Sequence, residues 1–213
     1  MRRLREAVEA FNELAAKYDS WYEEHPYEYR NEVTAIKRLV PGGLGLDVGV
    51  GTGIIASEVG VEVGLDASLS MLRTAKSRGL EVVRAQAERT PFKGGGFDYV
   101  LTTATLCFLE DVEEALREAY RVLKPGGFLV ACIIPRESPW GRRYAERGDG
   151  VYRLMRLLSV EELKEAMLRA GFEVAEALGT ISYPPSSVGF IEEPSVELEG
   201  KSFVCIKGLK RGG

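Results

Sequence analysis

Apolar positions in the first forty residues recur at helical spacing: Leu4, Val8, Phe11, Leu14, Ala15 and Tyr18 fall on one face, and Val33, Ile36, Lys37 and Val40 suggest a second helix. Pro41, Gly42 and Gly43 end it. Beyond them the pattern changes. Short apolar runs at 44–48, 61–65, 80–84, 97–103 and 128–134 read as strands, and the segments 68–78, 111–123 and 159–170 between or after them read as helices. Asp111 with Glu114, and Ser159 with Glu162, have capping-box spacing. Gly171 and the pair Gly126-Gly127 stand where such helices should stop. Strand and helix in alternation imply parallel pairing, because a chain needs a crossover of about a dozen residues to return in parallel. The chain end differs. Runs at 172–178 and 202–208 have no helix between them and predict an antiparallel pair at the edge of an open α/β sheet.

The stretch LDVGVGTGI follows the first predicted strand and carries Gly49, Gly51 and Gly53 at alternate positions. Glycine there lets a ligand approach the backbone, and in open α/β sheets ligands bind at the carboxyl ends of strands. The spacing is G-x-G-x-G, so it is neither the G-x-G-x-x-G of dinucleotide folds nor a P-loop, which would need a following Gly-Lys-Ser/Thr. Two acids flank it. Asp47 precedes the loop, and Asp66 ends the second strand about 20 residues on, where a carboxylate can accept both hydroxyls of a ribose. Ser68 is the better placed helix cap, which leaves Asp66 for a ligand.

Composition narrows the class. The 213 residues, 45% hydrophobic and 28% charged, suit one soluble domain, and no apolar run approaches the roughly 18 residues of a membrane span. The start, MRRLREAVEAF, lacks the apolar core of a secretory signal, so a cytoplasmic location is expected. A net charge of -4 argues against a generic nucleic-acid binder. Cys107, Cys132 and Cys205 lack C-x-x-C spacing and read as small buried residues rather than a disulfide framework; no metal site is expected.

The runs LDVGVGTG, GLDAS, AQAERTPF, FDYVLTTATLCFLED and LREAYRVLKPGGFLV, in that order, resemble the class I S-adenosylmethionine-dependent methyltransferases. They are most similar to the small-molecule branch that includes the ubiquinone and menaquinone biosynthesis C-methyltransferases. The resemblance runs from about residue 11 to 207. It implies a Rossmann-like, seven-stranded, mostly parallel sheet with one antiparallel strand at the edge and a helical N-terminal lid. Residues 1–40 would be the cap, 41–134 the cofactor-binding core, 135–158 a substrate-side insertion and 159–213 the final helix and edge strands, all in one domain.

For S-adenosylmethionine, the resemblance implies that Asp47, Gly49, Gly51 and Gly53 wrap the methionine part and that Asp66, with Ala67 beside it, binds the ribose. Gln86 and Ala87 match the pair that contacts adenine, with Gln86 where many members carry Asp. Thr102 matches a residue beside the sulfonium. AAKYDSWY resembles a lid segment and puts Tyr18 and Trp21 over the cofactor; aromatic faces attract cations.

The methyl on a sulfonium is already activated, so positioning can supply much of the acceleration and no base is obligatory. His25 and Tyr18 are the candidates if one is used. The insertion carries Trp140, Arg142, Arg143 and Tyr144 as candidate acceptor contacts, and its arginines and rings suggest an anionic or planar aromatic small-molecule acceptor. No Asn-Pro-Pro-Tyr run or Pro-Cys nucleophile of the nucleic-acid-methylating kind is present. Two alternatives stay open: a catalytically idle S-adenosylmethionine-binding subunit or sensor, and an NAD-dependent oxidoreductase, which the glycine spacing disfavours. Oligomeric state and acceptor identity are not legible.

Overall fold

The computed structural model describes residues 2–212. Seven strands form one sheet: β1 (Gly45–Val48), β2 (Val63–Asp66), β3 (Glu81–Arg84), β4 (Phe97–Thr103), β5 (Leu123–Ile133), β6 (Glu173–Thr180) and β7 (Phe203–Leu209). Their spatial order is β3-β2-β1-β4-β5-β7-β6. The first five pair in parallel, and β7 inserts antiparallel between β5 and β6. The strand order reverses beside β1, so the β1 and β4 carboxyl ends open a crevice at the topological switch point.

Alternation along the strands sends side chains to two apolar layers. Leu129, Ala131 and Ile133 of β5 join Leu116, Ala119, Leu163 and Met167, from α6 (Val112–Val122) and α8 (Val160–Arg169), on one face. Val130 and Cys132 join Ile36, Leu39, Ile55 and Leu72, from α3 (Pro26–Leu39), α4 (Ile54–Val59) and α5 (Leu69–Ser77), on the other. Fully buried leucines such as Leu116 and Leu163 contribute roughly 1.5–3 kcal/mol each.

The caps behave unequally. Ser159 and Glu162 complete a reciprocal capping box, Ser68 accepts from Met71 N, and Asp111 accepts from Glu114 N. Gly126-Gly127 does not terminate α6; that helix ends at Val122 and runs straight into β5, which begins five residues earlier than its apolar run predicts. The two glycines form an irregularity inside β5, with Gly126 at φ +78°. The first predicted helix, whose face runs to Tyr18, stops at Leu14: α1 (Arg2–Leu14) is followed by a turn and the short α2 (Ser20–Glu24), and the second predicted helix, α3, starts earlier than its apolar face suggests, at Pro26.

The cysteine expectation is corrected. Cys132 and Cys205 are register partners on β5 and β7 and form a disulfide, while Cys107 is free and buried. They lie 73 residues apart in sequence. Only the insertion of β7 next to β5 makes them opposite neighbours, and spacing carries no trace of that.

Between β6 and β7 the chain has no regular element and lies over α3. Asn31 Nδ2 donates to Phe190 O at 2.9 Å, Glu192 N donates to Asn31 Oδ1 at 2.9 Å, and Arg38 pairs with Glu193. These contacts fix α3 above the sheet. Among the described residues, no helix is long and apolar enough to cross a membrane.

Candidate functional site

A cavity of about 650 Å³ lies over the carboxyl ends of β1, β2 and β4, within the range of small-molecule sites. Its floor is Gly49, Gly51, Leu65, Asp66, Gln86, Ala87, Thr103 and Ala104, and its roof is the N-terminal helices.

The three glycines of the first turn serve different needs. All have positive φ, at +80°, +55° and +75° for Gly49, Gly51 and Gly53. A Cβ on Gly49 would come within 2.2 Å of Thr105 Cγ2, and one on Gly53 within 3.2 Å of Ala75 in α5. Both are therefore packing glycines. A Cβ on Gly51 would meet nothing within 4 Å, so its bare backbone faces open space at the cavity wall.

Asp66 organises this end. Its Oδ2 accepts from Gly51 N at 2.9 Å and its Oδ1 from Ser68 N at 2.8 Å, which ties the glycine turn to the β2–α5 turn. Burial raises its pKa, and the Ser68, Gly51 and Ala67 N–H groups oppose that rise. Each oxygen keeps a second lone pair for a ligand hydroxyl. Asp47 lies behind this surface and does not line the cavity. It is 3% exposed, its Oδ1 has no hydrogen-bond partner, and burial with the nearby Asp66 charge pushes its pKa up to about 8. Thr102 is also buried behind the wall; its neighbour Thr103, on the opposite side of β4, lines the cavity instead, and both hydroxyls lack partners. Ala104 adopts φ +51°, a conformation uncommon outside glycine, where the wall turns away from β4.

The roof is held by three polar anchors that periodicity does not mark. Arg3 donates to the carbonyls of Leu109 at 2.9 Å, Cys107 at 2.6 Å and Leu154 at 2.8 Å. Asn12 Oδ1 accepts from Ser68 Oγ at 2.8 Å and from Ser70 N at 3.1 Å. Asp19 accepts from Thr52 Oγ1 at 2.6 Å and pairs with Arg78. Together they seat α1 and α2 over the crevice. Tyr18 and Trp21 line the cavity as the lid segment implies. Tyr18 shares a side-chain hydrogen bond with Tyr22, and burial pushes both phenols above their ordinary range.

Several candidates lie elsewhere. His25 is off the cavity, stacked on Trp21 at 4.3 Å between ring centroids, with Nδ1 2.8 Å from Trp21 O. Trp140 is core: 6% exposed, it donates from Nε1 to Tyr183 O at 3.1 Å. Arg142 and Arg143, on α7 (Pro139–Glu146), are exposed away from the cavity, and Arg142 donates to Glu137 O. Helical phase explains this, since Trp140 and Tyr144 occupy the inner face and the two arginines between them the outer. Tyr144 lines the cavity, as does Arg147, whose guanidinium sits 3.8 Å above the Tyr152 ring and pairs with Asp149.

One wall residue escaped the motif reading. Glu32 of α3 is 6% exposed, and burial followed by the charge of Glu28 one turn back pushes its pKa up to about 8. Its signal is a phase error: Glu28, Glu32 and Ile36 follow four-residue spacing, so the acid falls on the buried face of its helix.

Comparison with known proteins agrees with this architecture. A family model described as "Methyltransferase domain" matches residues 46–131, the span from β1 into β5. A solved structure from Thermotoga maritima, described as a SAM-dependent methyltransferase and "possible histamine N-methyltransferase", is 37% identical with a TM-score of 0.92, covering 96% of this chain and 100% of that one. An uncharacterized protein of Methanocaldococcus jannaschii is 36% identical over 95% of this chain and 100% of its own length. The demethylmenaquinone methyltransferase of Listeria welshimeri is 37% identical, over 50% of each chain. With this likeness along the full chain and the G-x-G-x-G turn set against Asp66, the protein belongs to the class I S-adenosylmethionine-dependent methyltransferases, and S-adenosylmethionine is its cofactor.

Proposed function

We propose that the chain transfers a methyl group to a small-molecule acceptor held under the N-terminal lid. The observation that carries this is the Asp66 carboxylate on the wall of a cavity that continues from the glycine turn to the aromatic roof, with space for a nucleoside at one end and an acceptor at the other.

The residues fit the cofactor. Gly51 leaves room for a close backbone approach, Thr103 closes the wall beside it, and Asp66 has lone pairs left for two ribose hydroxyls. Ala67, Gln86 and Ala87 line the adjoining wall and would border the adenine. Gln86 can accept from an exocyclic amine through its side-chain oxygen. Gly49 and Gly53 shape the turn from behind. The bound cofactor supplies a methyl already activated by its sulfonium.

This chain's contribution is to hold and shield. Tyr18, Trp21 and Tyr22 close the roof with rings whose faces favour a cation, and the anchors Arg3, Asn12 and Asp19 keep it closed against water. Alignment of donor and acceptor then accounts for most of the acceleration. His25, off the wall, is not used as a base.

The test is methyl transfer from labelled S-adenosylmethionine to separated cell-extract fractions. Label is expected in the fraction below about 1 kDa and not in protein or RNA. Label confined to a macromolecular fraction would overturn the small-molecule assignment.

A further inference from the structure

We infer that the acceptor is an amine, received as an ammonium ion by the Glu32 carboxylate. This rests on the methyltransferase reading above and names its substrate class. Six acidic residues line the cavity against two basic ones, Lys17 and Arg147, and Arg147 is already paired with Asp149. An anionic acceptor would find little to bind. The Glu32 carboxyl, by contrast, makes no hydrogen bond or ion pair with any described residue, although the residue is 6% exposed. A buried carboxylate without a partner is unfavourable, and a ligand cation would supply the partner. Around it stand Tyr18, Tyr22 and Tyr144, each within electrostatic reach of Glu32, and Trp21 completes that part of the wall. Aromatic rings about a single acid form a receptor for an organic ammonium.

The chemistry balances. Before an amine enters, burial and Glu28 keep Glu32 largely protonated near neutral pH, and the three facing tyrosines, all pushed upward, stay neutral. An entering R–NH₃⁺ stabilises the carboxylate, so one proton leaves Glu32 for solvent. For transfer, Glu32 takes a proton back from the ammonium. The freed nitrogen lone pair bonds to the methyl carbon as the carbon–sulfur bond breaks, leaving a methylammonium, a neutral thioether and a protonated Glu32.

The experiment is calorimetry at pH 7 on protein saturated with S-adenosylhomocysteine, in two buffers of different ionisation heat. Tyramine, tryptamine, phenethylamine and hexylamine are compared with the corresponding alcohols, on wild type and on Glu32→Gln, which removes an ionisable group and keeps the shape. At least one amine is expected to bind wild type tenfold or more tighter than its alcohol, with release of close to one proton. Glu32→Gln is expected to lose both the preference and the proton release while holding S-adenosylhomocysteine within twofold of wild type. Amines that bind no better than alcohols, or a preference that survives in Glu32→Gln, overturn the inference. A tenfold loss of S-adenosylhomocysteine affinity in Glu32→Gln also overturns it, because Glu32 would then serve the cofactor's own ammonium, with the methyltransferase reading intact. Failure of wild type to bind S-adenosylhomocysteine would instead strike the methyltransferase reading itself.

Discussion

Asp19, in the turn before α2, and Arg78, at the end of α5, form an ion pair at 2.5 Å across the entrance to the glycine turn, and both also bind Thr52 within it. The lid and the cofactor turn are thus joined by two side chains that the hydrophobic pattern treats as surface. Asp19→Ala is expected to leave the sheet folded and to weaken S-adenosylhomocysteine about tenfold, near the low end for a hydrogen-bonded charge. Calorimetric titration reads this directly.

Gly49 and Gly51 differ in what surrounds them, and their alanine variants should fail differently. Gly49→Ala drives a Cβ into Thr105 and is expected to lower the melting temperature sharply. Gly51→Ala meets open space and bears only the cost of its φ of +55°, roughly 1–2 kcal/mol. It is expected to fold yet bind S-adenosylhomocysteine poorly. Thermal melts with and without ligand separate the two effects.

Asp47 carries a pH signature. Its folded pKa is raised to about 8 by burial and by Asp66, so folding favours its protonated form. That contribution is fully present below the ordinary carboxylate range and is lost as pH climbs through about 8, at roughly 1.4 kcal/mol per pH unit between those limits. In ligand-free protein, stability should therefore fall between about pH 4 and 8 from this group. Glu32, also pushed up to about 8, contributes in the same sense, so Asp47→Asn is expected to make the fall shallower without abolishing it, measured by urea midpoints across the range.

Arg142 and Arg143 sit on the outer face of α7. Replacing both with Ala is expected to leave turnover unchanged within about twofold once an acceptor is in hand, because exposed charges away from the cavity contribute little. A larger loss in kcat/KM would place the acceptor across that face.

Much of the scaffold was legible because alternation and cap chemistry are local. β4 occupies the predicted 97–103, and Ser68 and Ser159 cap the helices they precede. Asp66, Gly51 and the Gln86-Ala87 pair could be placed by motif, since a turn after a strand determines which way its backbone faces. Side chains whose partners arrive from distant segments could not. Asp19 meets Arg78 only after α2 folds back over the sheet, and Cys132 meets Cys205 only once β7 inserts beside β5. The arginines of α7 misled for a related reason: composition shows that a segment is basic, whereas helical phase decides which side receives the charge. Glu32 was the subtler omission, an acid on an apolar helix face that a motif search passes over.

The most direct measurement is calorimetric titration of S-adenosylhomocysteine into wild type and Asp66→Ala. Wild type should bind one equivalent, and the variant, stripped of the carboxylate that holds Gly51 N and would hold the ribose, should lose at least a hundredfold in affinity while remaining folded. No measurable binding to wild type, or equal binding by both proteins, would contradict the assignment.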